Sequence, residues 1–444
     1  MKPPDWSKWP NLRSLTLSNT GVIDGDMFTK GFNHLRYLAL ERNNITSIPT
    51  DLFYFLPNLE FLSLLGNRLS SWEWCAGLTK LKRLYLQHNR ITRIKAKSFR
   101  DMNQLLYLDL RWNRLDRLHP ESFRGLHRLR HLALSDNMIG QLEPDVFTFL
   151  EDLNKLDLYN NNISLVDVRS FSNLERLTKL ELTNNSLKSL PKDVFAPLVK
   201  LKGLHLAQNQ LNNDISILNF LGLEKLLHLD LSHNRFSKLY SHVFSPLIHL
   251  KELNLDNNHI SSIDEDAFKG LNRLNVLHLD HNKISLLEKN TFLHLQTLRQ
   301  LFLRHNRIQT LDHGPFVDLL FLEDLTLSHN SIASIHENTF SGLEHKLHSL
   351  DITYNNIDSI HVKSFVRLVR LKQLYMIGNR MQCNCWLTLM FRSLRCDFIL
   401  LDCFSWSRDD ANSGIVDEVA HIYFNHGNEQ VRIVFHYIKS LKNS

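Results

Sequence analysis

The chain has 444 residues, which is longer than a single globular core usually grows, so its length alone predicts two or three domains. Its net charge of +6 at neutral pH is mildly basic and by itself indicates no particular partner. The sequence has no continuous apolar run of ~18 residues, so it predicts no membrane-spanning helix.

One pattern, L-x-x-L-x-L-x-x-N-x-(L/I), occurs sixteen times between Leu12 and Met381, usually every 24 residues. This period and spacing are typical of a leucine-rich repeat solenoid. Because each repeat meets only its neighbours, a solenoid has no core-size limit, and the pattern overrides the domain count predicted from length. Thr20 stands in the first repeat, and the signature asparagines are Asn43, Asn67, Asn89, Asn113, Asn137, Asn161, Asn185, Asn209, Asn234, Asn258, Asn282, Asn306, Asn330, Asn355 and Asn379.

The predicted fold class is α/β: a right-handed leucine-rich repeat solenoid, or horseshoe, with a continuous parallel β-sheet on its concave side. Side chains alternate across a strand, so Leu108 and Leu110 are predicted to face the core. Tyr107, Asp109 and Arg111 are then predicted to line the concave surface. The signature asparagine is predicted to satisfy backbone groups where the chain leaves the sheet, which would form a ladder along the stack.

A phenylalanine follows most signature asparagines by ten residues and predicts a second buried column. A single repeat cannot bury these rings alone, so they are interpreted as structural, and no cofactor is predicted. The predicted column contains Phe53, Phe99, Phe123, Phe147, Phe171, Phe195, Phe268, Phe292, Phe316, Phe340 and Phe365.

Repeat three is two residues shorter, and Cys75 lies eight residues after Asn67, near the place of the missing phenylalanine. The thiol is predicted to be a buried small hydrophobe. An intermolecular disulfide or a reactive thiol is the alternative.

The predicted domains are a lead at 1–11 without a cysteine cap, sixteen repeats at 12–381, and a cysteine-rich cap with a non-repeating tail at 382–444. The tail after Phe404 is expected to close the solenoid with helix or strand. Crowded cysteines at the end of a solenoid predict a disulfide cap. A zinc site is the competing interpretation, but its paired cysteines usually have two to four residues between them, and no metal is predicted. The four cysteines are Cys383, Cys385, Cys396 and Cys403.

The 24-residue repeat with its phenylalanine, followed by the C-x-C-W sequence that begins at Cys383, resembles the animal extracellular leucine-rich repeat family, which includes Toll-like receptor ectodomains, chaoptin and slit proteins. The resemblance covers Leu12 to about Cys403. It implies a non-catalytic, curved binding scaffold with roles in adhesion, ligand capture or innate immune sensing. It also implies that the cap cysteines pair first with third and second with fourth, although the last two come sooner here than the family usually places them.

The beginning of the chain carries neither a signal peptide nor the cysteine cap of that family. Either the chain is intracellular or its true start is missing. The resemblance favours an extracellular or cell-surface protein with a lost leader. The alternative function is an intracellular assembly scaffold whose C-terminal cysteines are reduced or bind zinc. No enzyme is predicted, because no P-loop, nucleophile elbow, H-E-x-x-H or dinucleotide fingerprint occurs.

Aromatic and arginine residues cluster at the predicted concave positions of repeats two to five. Such residues are the usual anchors of protein interfaces, so we predict a protein-ligand site there. Scattered surface aromatics are also normal, which is the alternative. The predicted ligand-binding residues are Tyr37, Phe61, Arg83, Tyr85, Tyr107, Arg111 and Trp112, with Leu65 beside them.

The segment from Lys80 to Arg130 holds 14 lysine and arginine residues against four acidic ones. Arginines recur there at equivalent repeat positions, where like charges repel one another. A glycosaminoglycan-like polyanion or an acidic protein face would relieve that repulsion, with nucleic acid less favoured. A solvated basic rim is the alternative. A homodimer is a further partner considered for the chain. The predicted basic patch is Arg68, Arg90, Arg93, Arg114 and Arg117, with Arg100 and Arg124 as a further pair.

Two other groups of residues carry weaker predictions. Asn44, Asn162 and Asn184 begin glycosylation sequons, although a repeat rich in asparagine produces such triplets by chance. His281, His305 and His329 recur just before the signature asparagine, beside acidic strand positions. They are interpreted as a solvated edge, with an acid sensor or metal site as the alternative.

Overall fold

Residues 11–20, 32–213, 215–361 and 363–381 are described in the computed structural model of the protein, together with the backbone of three strands at 398–402, 419–426 and 429–436. The chain divides into two compact units, Met1–Leu226 and Leu227–Ser444. Each unit is a stack of repeats whose short strands pair in parallel, so the predicted solenoid architecture is confirmed.

In the first unit, each described repeat contributes a three-residue strand to a parallel main sheet, and two shorter strands pair separately. In chain order the strands are β1 (Ser14–Thr16), β2 (Tyr37–Ala39), β3 (Phe61–Ser63), β4 (Arg83–Tyr85), β5 (Tyr107–Asp109), β6 (His131–Ala133), β7 (Gln141–Leu142), β8 (Lys155–Asp157), β9 (Leu165–Val166), β10 (Lys179–Glu181) and β11 (Gly203–His205). The separate pair is β7 with β9. The register aligns equivalent positions, so Leu108 lies opposite Leu84 and Leu132.

The second unit repeats this arrangement. Its strands are β12 (His228–Asp230), β13 (Lys238–Leu239), β14 (Glu252–Asn254), β15 (Ser262–Ile263), β16 (Val276–His278), β17 (Gln300–Phe302), β18 (Asp324–Thr326), β19 (Ser334–Ile335), β20 (Ser349–Asp351), β21 (Ser359–Ile360), β22 (Gln373–Tyr375), β23 (Phe398–Asp402), β24 (Val419–His426) and β25 (Glu429–His436). Strand β23 extends the main sheet in parallel beyond β22, and β25 pairs in parallel with β23. Strand β24 is antiparallel to β25, so the described part of the tail supplies strand.

Described helix is confined to short segments. The 3-10 helices are Leu52–Phe55, Glu73–Cys75 and Ile217–Asn219, and α1 is Lys363–Val366. Among the described residues, no helix is long and apolar enough to cross a membrane.

The core of each unit consists of the repeated leucines and a column of phenylalanines. Leu108 and Leu110 are fully buried, as predicted. Ring centroids of consecutive phenylalanines lie 5.8 to 6.4 Å apart from Phe99 to Phe195 in the first unit. Phe220 and Phe244 are also buried, although the predicted column did not include them. Phe244 fits the ten-residue spacing from Asn234, whereas Phe220 lies eleven residues after Asn209.

In the shortened repeat three, two tryptophans occupy the phenylalanine column. Trp74 packs 5.8 Å from Phe53, and Trp72 packs 5.0 Å from Phe99, with 6.1 Å between the two indole centroids. Cys75 is buried beside them, as predicted, but the rings of Trp72 and Trp74 fill the column. A repeat that is two residues short can therefore keep the column continuous by using larger rings.

The predicted asparagine ladder is present in both units. The Nδ2 atom of Asn113 donates hydrogen bonds to the carbonyl oxygens of Leu110, in its own repeat, and Leu86, in the preceding one, at 3.0 Å each. Its Oδ1 atom accepts the backbone N–H of Ile91 at 3.0 Å. The same carbonyl oxygens also accept from the neighbouring ladder residues Asn89 and Asn137, so the ladder satisfies backbone groups inside the protein with hydrogen bonds shared between repeats.

The four cysteines of the predicted cap lie outside the described residues. Their disulfides, the pairing implied by family resemblance and the zinc alternative therefore stay predictions, as do the proposed domain boundaries.

Candidate ligand-binding surfaces

An unbroken row of rings crosses five consecutive strands, β2 to β6, on the face of the main sheet opposite the leucine core, here called the open face. Centroid distances are 4.2 Å from Tyr37 to Phe61, 5.1 Å from Phe61 to Tyr85, 5.1 Å from Tyr85 to Tyr107 and 5.9 Å from Tyr107 to His131. These five residues are called the aromatic strip. The structure thus brings four of the predicted ligand-binding residues into contact and adds His131, which the sequence analysis did not select.

Strand geometry explains how the strip forms. The central leucine of each strand is buried, so both flanking positions face away from the core. In β4 the first of these positions holds Arg83, which is exposed and aligned with Phe61 and Tyr107. The ring contact passes through Tyr85 at the other end of that strand, so the strip stays continuous and Arg83 lies beside it.

Burial raises the pKa of Tyr85 and of Tyr107 above the ordinary value for tyrosine. Burial, followed by the charges of Lys155 and Arg130, lowers the pKa of His131. These shifts favour the uncharged forms of Tyr85, Tyr107 and His131, which suits a surface that loses its water when a ligand binds.

An ion pair with the buried Asp109 fixes Arg111 beside the strip. The carboxylate of Asp109 is fully buried and lies 2.6 Å from Nη2 of Arg111. It also accepts the backbone N–H of Arg111 at 3.1 Å, and the hydroxyl of Tyr107 lies 3.5 Å away. Asp109 was predicted to line the surface, but these neighbours cover it. The exposed group at this place is therefore the guanidinium of Arg111, and the hydrogen bond to Asp109 is the main cause that raises its pKa.

Trp112 lies away from the aromatic strip, which corrects its grouping with Tyr107. It occupies the turn after β5 with φ of 55°, and its ring stacks on His88 at 5.4 Å with 9° between the planes. The indole is 53% exposed. Left-handed backbone is disfavoured for a bulky residue, and here the repeat imposes it on the position before each signature asparagine. Leu65, beside the strip, is half-buried.

Two rows of side chains flank the asparagine ladder near Trp112 and enclose an open groove of about 510 Å³, here called the turn groove. In each repeat, one row contributes the residue just before the ladder asparagine in sequence, and the other row contributes the residue just after it. The preceding row is Gly66, His88, Trp112 and Asp136, and the following row is Asn44, Arg68, Arg90 and Arg114. Sequence reasoning identified the arginines as a charged row but missed His88 and Asp136, because nothing in the pattern indicates which turn residues share a groove.

The remaining arginines of the predicted basic patch have acidic neighbours. Arg93 lies 3.7 Å from Asp116, and Arg117 lies 2.9 Å from Glu143. The further pair behaves in the same way, since Arg100 contacts Asp101 and Arg124 contacts Glu121. In the described part of the chain, by contrast, the exposed Arg68, Arg90 and Arg114 form no ion pair. The patch is therefore divided, and its unneutralised part is the row in the turn groove.

The second unit carries an acidic row on its open face. The backbone N–H of Asp280 donates to Asp256, and that of Arg304 donates to Asp280, each at 2.6 Å. Burial is the main cause that raises the pKa of Asp256 to about 7, and the carboxylate of Asp280 adds to it. Burial also raises the pKa of Asp280. His278 lies 3.9 Å from Asp256.

The predicted histidine row forms a stack of rings in the second unit. Centroids lie 4.2 Å apart from His281 to His305 and from His305 to His329, and Tyr354 follows at 4.6 Å. Burial, followed by the neighbouring histidines, lowers the pKa of His305. No group of three or more potential metal ligands occurs within the described residues.

The three sequon asparagines differ in access. Asn44 and Asn162 are exposed. Asn184 is half-buried, and its Nδ2 atom, the one a glycan would occupy, donates to Oδ1 of Asn160 at 2.7 Å.

Comparison with known proteins gives the family. The model described as Leucine rich repeat matches residues 6–69, 71–115, 110–163, 127–187, 151–211, 212–260, 248–308, 296–345 and 322–381. Leucine-rich repeat-containing G-protein coupled receptor 6 of Danio rerio is 33% identical over 93 residues, which is 21% of this chain and 10% of that protein. Leucine-rich repeat-containing G-protein coupled receptor 5 of Homo sapiens is 33% identical over 96 residues, which is 22% of this chain and 11% of that protein. The chain thus spans about a tenth of the length of the curated relatives it matches.

Solved structures agree on the fold. An LRR protein of Leptospira interrogans is 26% identical with a TM-score of 0.66, over 88% of this chain and 91% of that one. The Toll–Spatzle complex of Drosophila matches with 24% identity and a TM-score of 0.66, over 89% of this chain and 53% of that one. From the repeats, the ladder and the matched family model together, we conclude that this chain belongs to the leucine-rich repeat family.

Proposed function

We propose that this chain is a non-catalytic binding scaffold from a secreted or cell-surface recognition, adhesion or innate-immune receptor protein, and that a protein ligand docks on its aromatic strip. The observation that carries the proposal is the continuous ring contact from Tyr37 to His131 across five strands. Rings from five consecutive strands pack on one another and make one continuous, largely apolar surface. Rings that already pack on one another lose little side-chain entropy when a ligand docks.

The chemistry around the strip supports a protein partner. Tyrosine and arginine are enriched among residues that dominate interface energies, because they bury large areas and keep a polar end. Arg83 and Arg111 supply such groups at the edge of the strip, and Asp109 holds Arg111 in place. An arginine that is ordered before binding loses little side-chain entropy on docking.

The relatives support the receptor part of the proposal. Two of them are named as G-protein coupled receptors, and the Toll structure was solved with Spatzle. A protein ligand is accordingly the first partner proposed here, and a glycosaminoglycan-like polyanion on the unneutralised arginines is the second. Binding of a second copy of this chain is a further case that the same experiment covers.

A binding screen tests the proposal. The purified chain, multimerised for avidity, is applied to an array of extracellular protein domains that includes the chain itself. The affinity of a partner for the Tyr107→Ala variant should be at least fivefold lower than for the wild type. Tyr240→Ala removes an exposed tyrosine elsewhere and should leave the affinity unchanged. Partners that bind both variants equally well would contradict docking on the strip.

The proposed location has its own test, which is peptide mass mapping of the native protein with and without reduction. Disulfides among Cys383, Cys385, Cys396 and Cys403, with a glycan on Asn162, are expected for an exported protein. Asn44 is exposed as well, but it lines the turn groove, and a glycan there would occupy one end of that groove. Unmodified asparagines and reduced thiols would instead favour the intracellular assembly scaffold. Asn184 should carry the least glycan, because its amide bonds to Asn160.

A further inference from the structure

We propose that the turn groove is a binding site for an acidic oligosaccharide, a chain of sugars that carries sulfate or carboxylate groups. The inference rests on the proposed role as a binding scaffold, but it uses other residues than the aromatic strip. It combines three features of the groove: unneutralised arginines, an exposed indole and a carboxylate.

The arginines provide the attraction for an anion. Arg68, Arg90 and Arg114 are exposed and occupy the same position in three successive repeats. Neighbouring strands lie about 4.8 Å apart, so the guanidinium groups repel one another unless an anion lies between them. Other arginines of these repeats, such as Arg93 and Arg117, have carboxylate neighbours. The groove thus brings together three arginines that form no ion pair with the described residues, and their positive charge is left for a ligand.

The indole provides a flat apolar surface. Trp112 is 53% exposed, and its stacking on His88 fixes the plane of the ring. A large exposed aromatic residue on left-handed backbone gives little to stability, and such features concentrate at binding sites. The C–H faces of sugar rings pack against aromatic rings, so a sugar can lie on the indole while its anionic groups reach the arginines.

The carboxylate of Asp136 favours a sugar over other polyanions. It lines the groove, and Nδ2 of Asn160 holds it at 2.7 Å. A carboxylate repels the anionic groups of any of these ligands, but it accepts hydrogen bonds from sugar hydroxyls, which an acidic sugar chain carries on every ring and single-stranded DNA or an acidic peptide has few of. An extended acidic peptide places side chains of one face about 6.6 Å apart, which does not match the strand spacing of about 4.8 Å. A sugar chain advances by about one ring per strand and presents charged groups along its whole length.

Fluorescence anisotropy with a labelled heparin-derived octasaccharide tests this inference on the full chain. Arg90→Ala should weaken binding at least fivefold, because it removes the middle guanidinium. Arg307→Ala is the matched control, since this exposed arginine follows a signature asparagine in the other unit and carries the same charge. It should change the affinity less than twofold. Equal losses in the two variants would mean attraction by net charge alone and would overturn the site.

Trp112→Ala and competition experiments separate sugar recognition from simple polyanion binding. Trp112→Ala should weaken binding at least threefold and leave its salt dependence unchanged, whereas Arg90→Ala should reduce the salt dependence. Both side chains are exposed, so both variants should keep the wild-type melting temperature. An unchanged affinity in Trp112→Ala, or equal competition by single-stranded DNA or polyglutamate, would overturn the assignment to a sugar.

A variant of the aromatic strip separates this inference from the proposed function. Tyr107→Ala should leave octasaccharide binding unchanged, because Tyr107 does not line the turn groove. Loss of sugar binding in Tyr107→Ala would refute a separate site. If the octasaccharide binds normally but no protein partner docks on the aromatic strip, the result supports the turn groove as a sugar site. It then contradicts only the proposed role of the aromatic strip.

Discussion

Arg111 closes over the carboxylate of Asp109 with two nitrogens, Nη2 at 2.6 Å from Oδ2 and Nε at 3.0 Å from Oδ1. Asp109 is fully buried, whereas the guanidinium reaches solvent. The pair couples stability to binding, because the same side chain that neutralises a buried charge is presented next to Tyr107. An exposed arginine on this face can therefore be structurally important.

Replacing Arg111 with alanine should destabilise the first unit by about 1–3 kcal/mol, because the carboxylate of Asp109 then remains buried without its partner. A lower thermal unfolding midpoint, followed by circular dichroism, would record the loss. Arg83→Ala is the control, since Arg83 is exposed on the adjacent strand and forms no ion pair with the described residues. Equal midpoints for the two variants would show that the ion pair contributes nothing.

Trp74→Ala should cost about 3–5 kcal/mol, because it removes a ring that is 1% exposed and contacts both Phe53 and Trp72. The cavity would interrupt the aromatic column at the shortened repeat. Trp112→Ala removes a ring of equal size from the surface and should change stability by less than about 0.5 kcal/mol. Chemical denaturation of both variants compares them directly. A small effect of Trp74→Ala would mean that Trp72 alone maintains the column.

The sequence predicts the regular part of this protein well, because the repeat period specifies the strands, the leucine core, the asparagine ladder and most of the phenylalanine column. It predicts the irregular parts less well. Trp72 and Trp74 fill the column by volume, whereas the spacing pointed to Cys75. Trp112 is one position from Arg111 in sequence, yet the turn directs it towards Arg90 and away from Tyr107. Which side chains share a groove depends on turn geometry that the repeat pattern does not contain.

Asn113→Ala should destabilise the first unit by about 1–3 kcal/mol, because it leaves the buried N–H of Ile91 unpaired. The carbonyl groups of Leu86 and Leu110 each lose one of two hydrogen bonds and keep the other, from Asn89 and Asn137 respectively. Hydrogen exchange gives the sharpest measurement, since the amide of Ile91 should lose much of its protection. Asn162→Ala removes an exposed asparagine beside the ladder and should leave amide protection unchanged. Full protection of Ile91 in the Asn113 variant would mean that water replaces the ladder side chain at little cost.

The raised pKa of Asp256 predicts how the second unit responds to pH. Unfolded aspartate has a pKa of ~3.9, and burial raises that of Asp256 to about 7. Between these values the folded unit holds a proton that the unfolded chain has released. The stabilising contribution of Asp256 to the free energy of unfolding is therefore fully present below about pH 4 and is lost as pH rises to about 7.

Asp256→Asn should reduce this pH dependence, because an amide does not titrate here and its oxygen can still accept the backbone N–H of Asp280. The thermal midpoint of the second unit should fall between pH 5 and pH 7.5 in the wild type and fall less in the variant. Asp280 and Asp230 also disfavour the charged form of Asp256, whereas Arg304 favours it, so Asp280→Asn should lower the pKa of Asp256. Asp358→Asn, which changes an exposed aspartate, should keep the wild-type dependence of the thermal midpoint on pH. A steep slope that survives in Asp256→Asn would assign the pH dependence to another group.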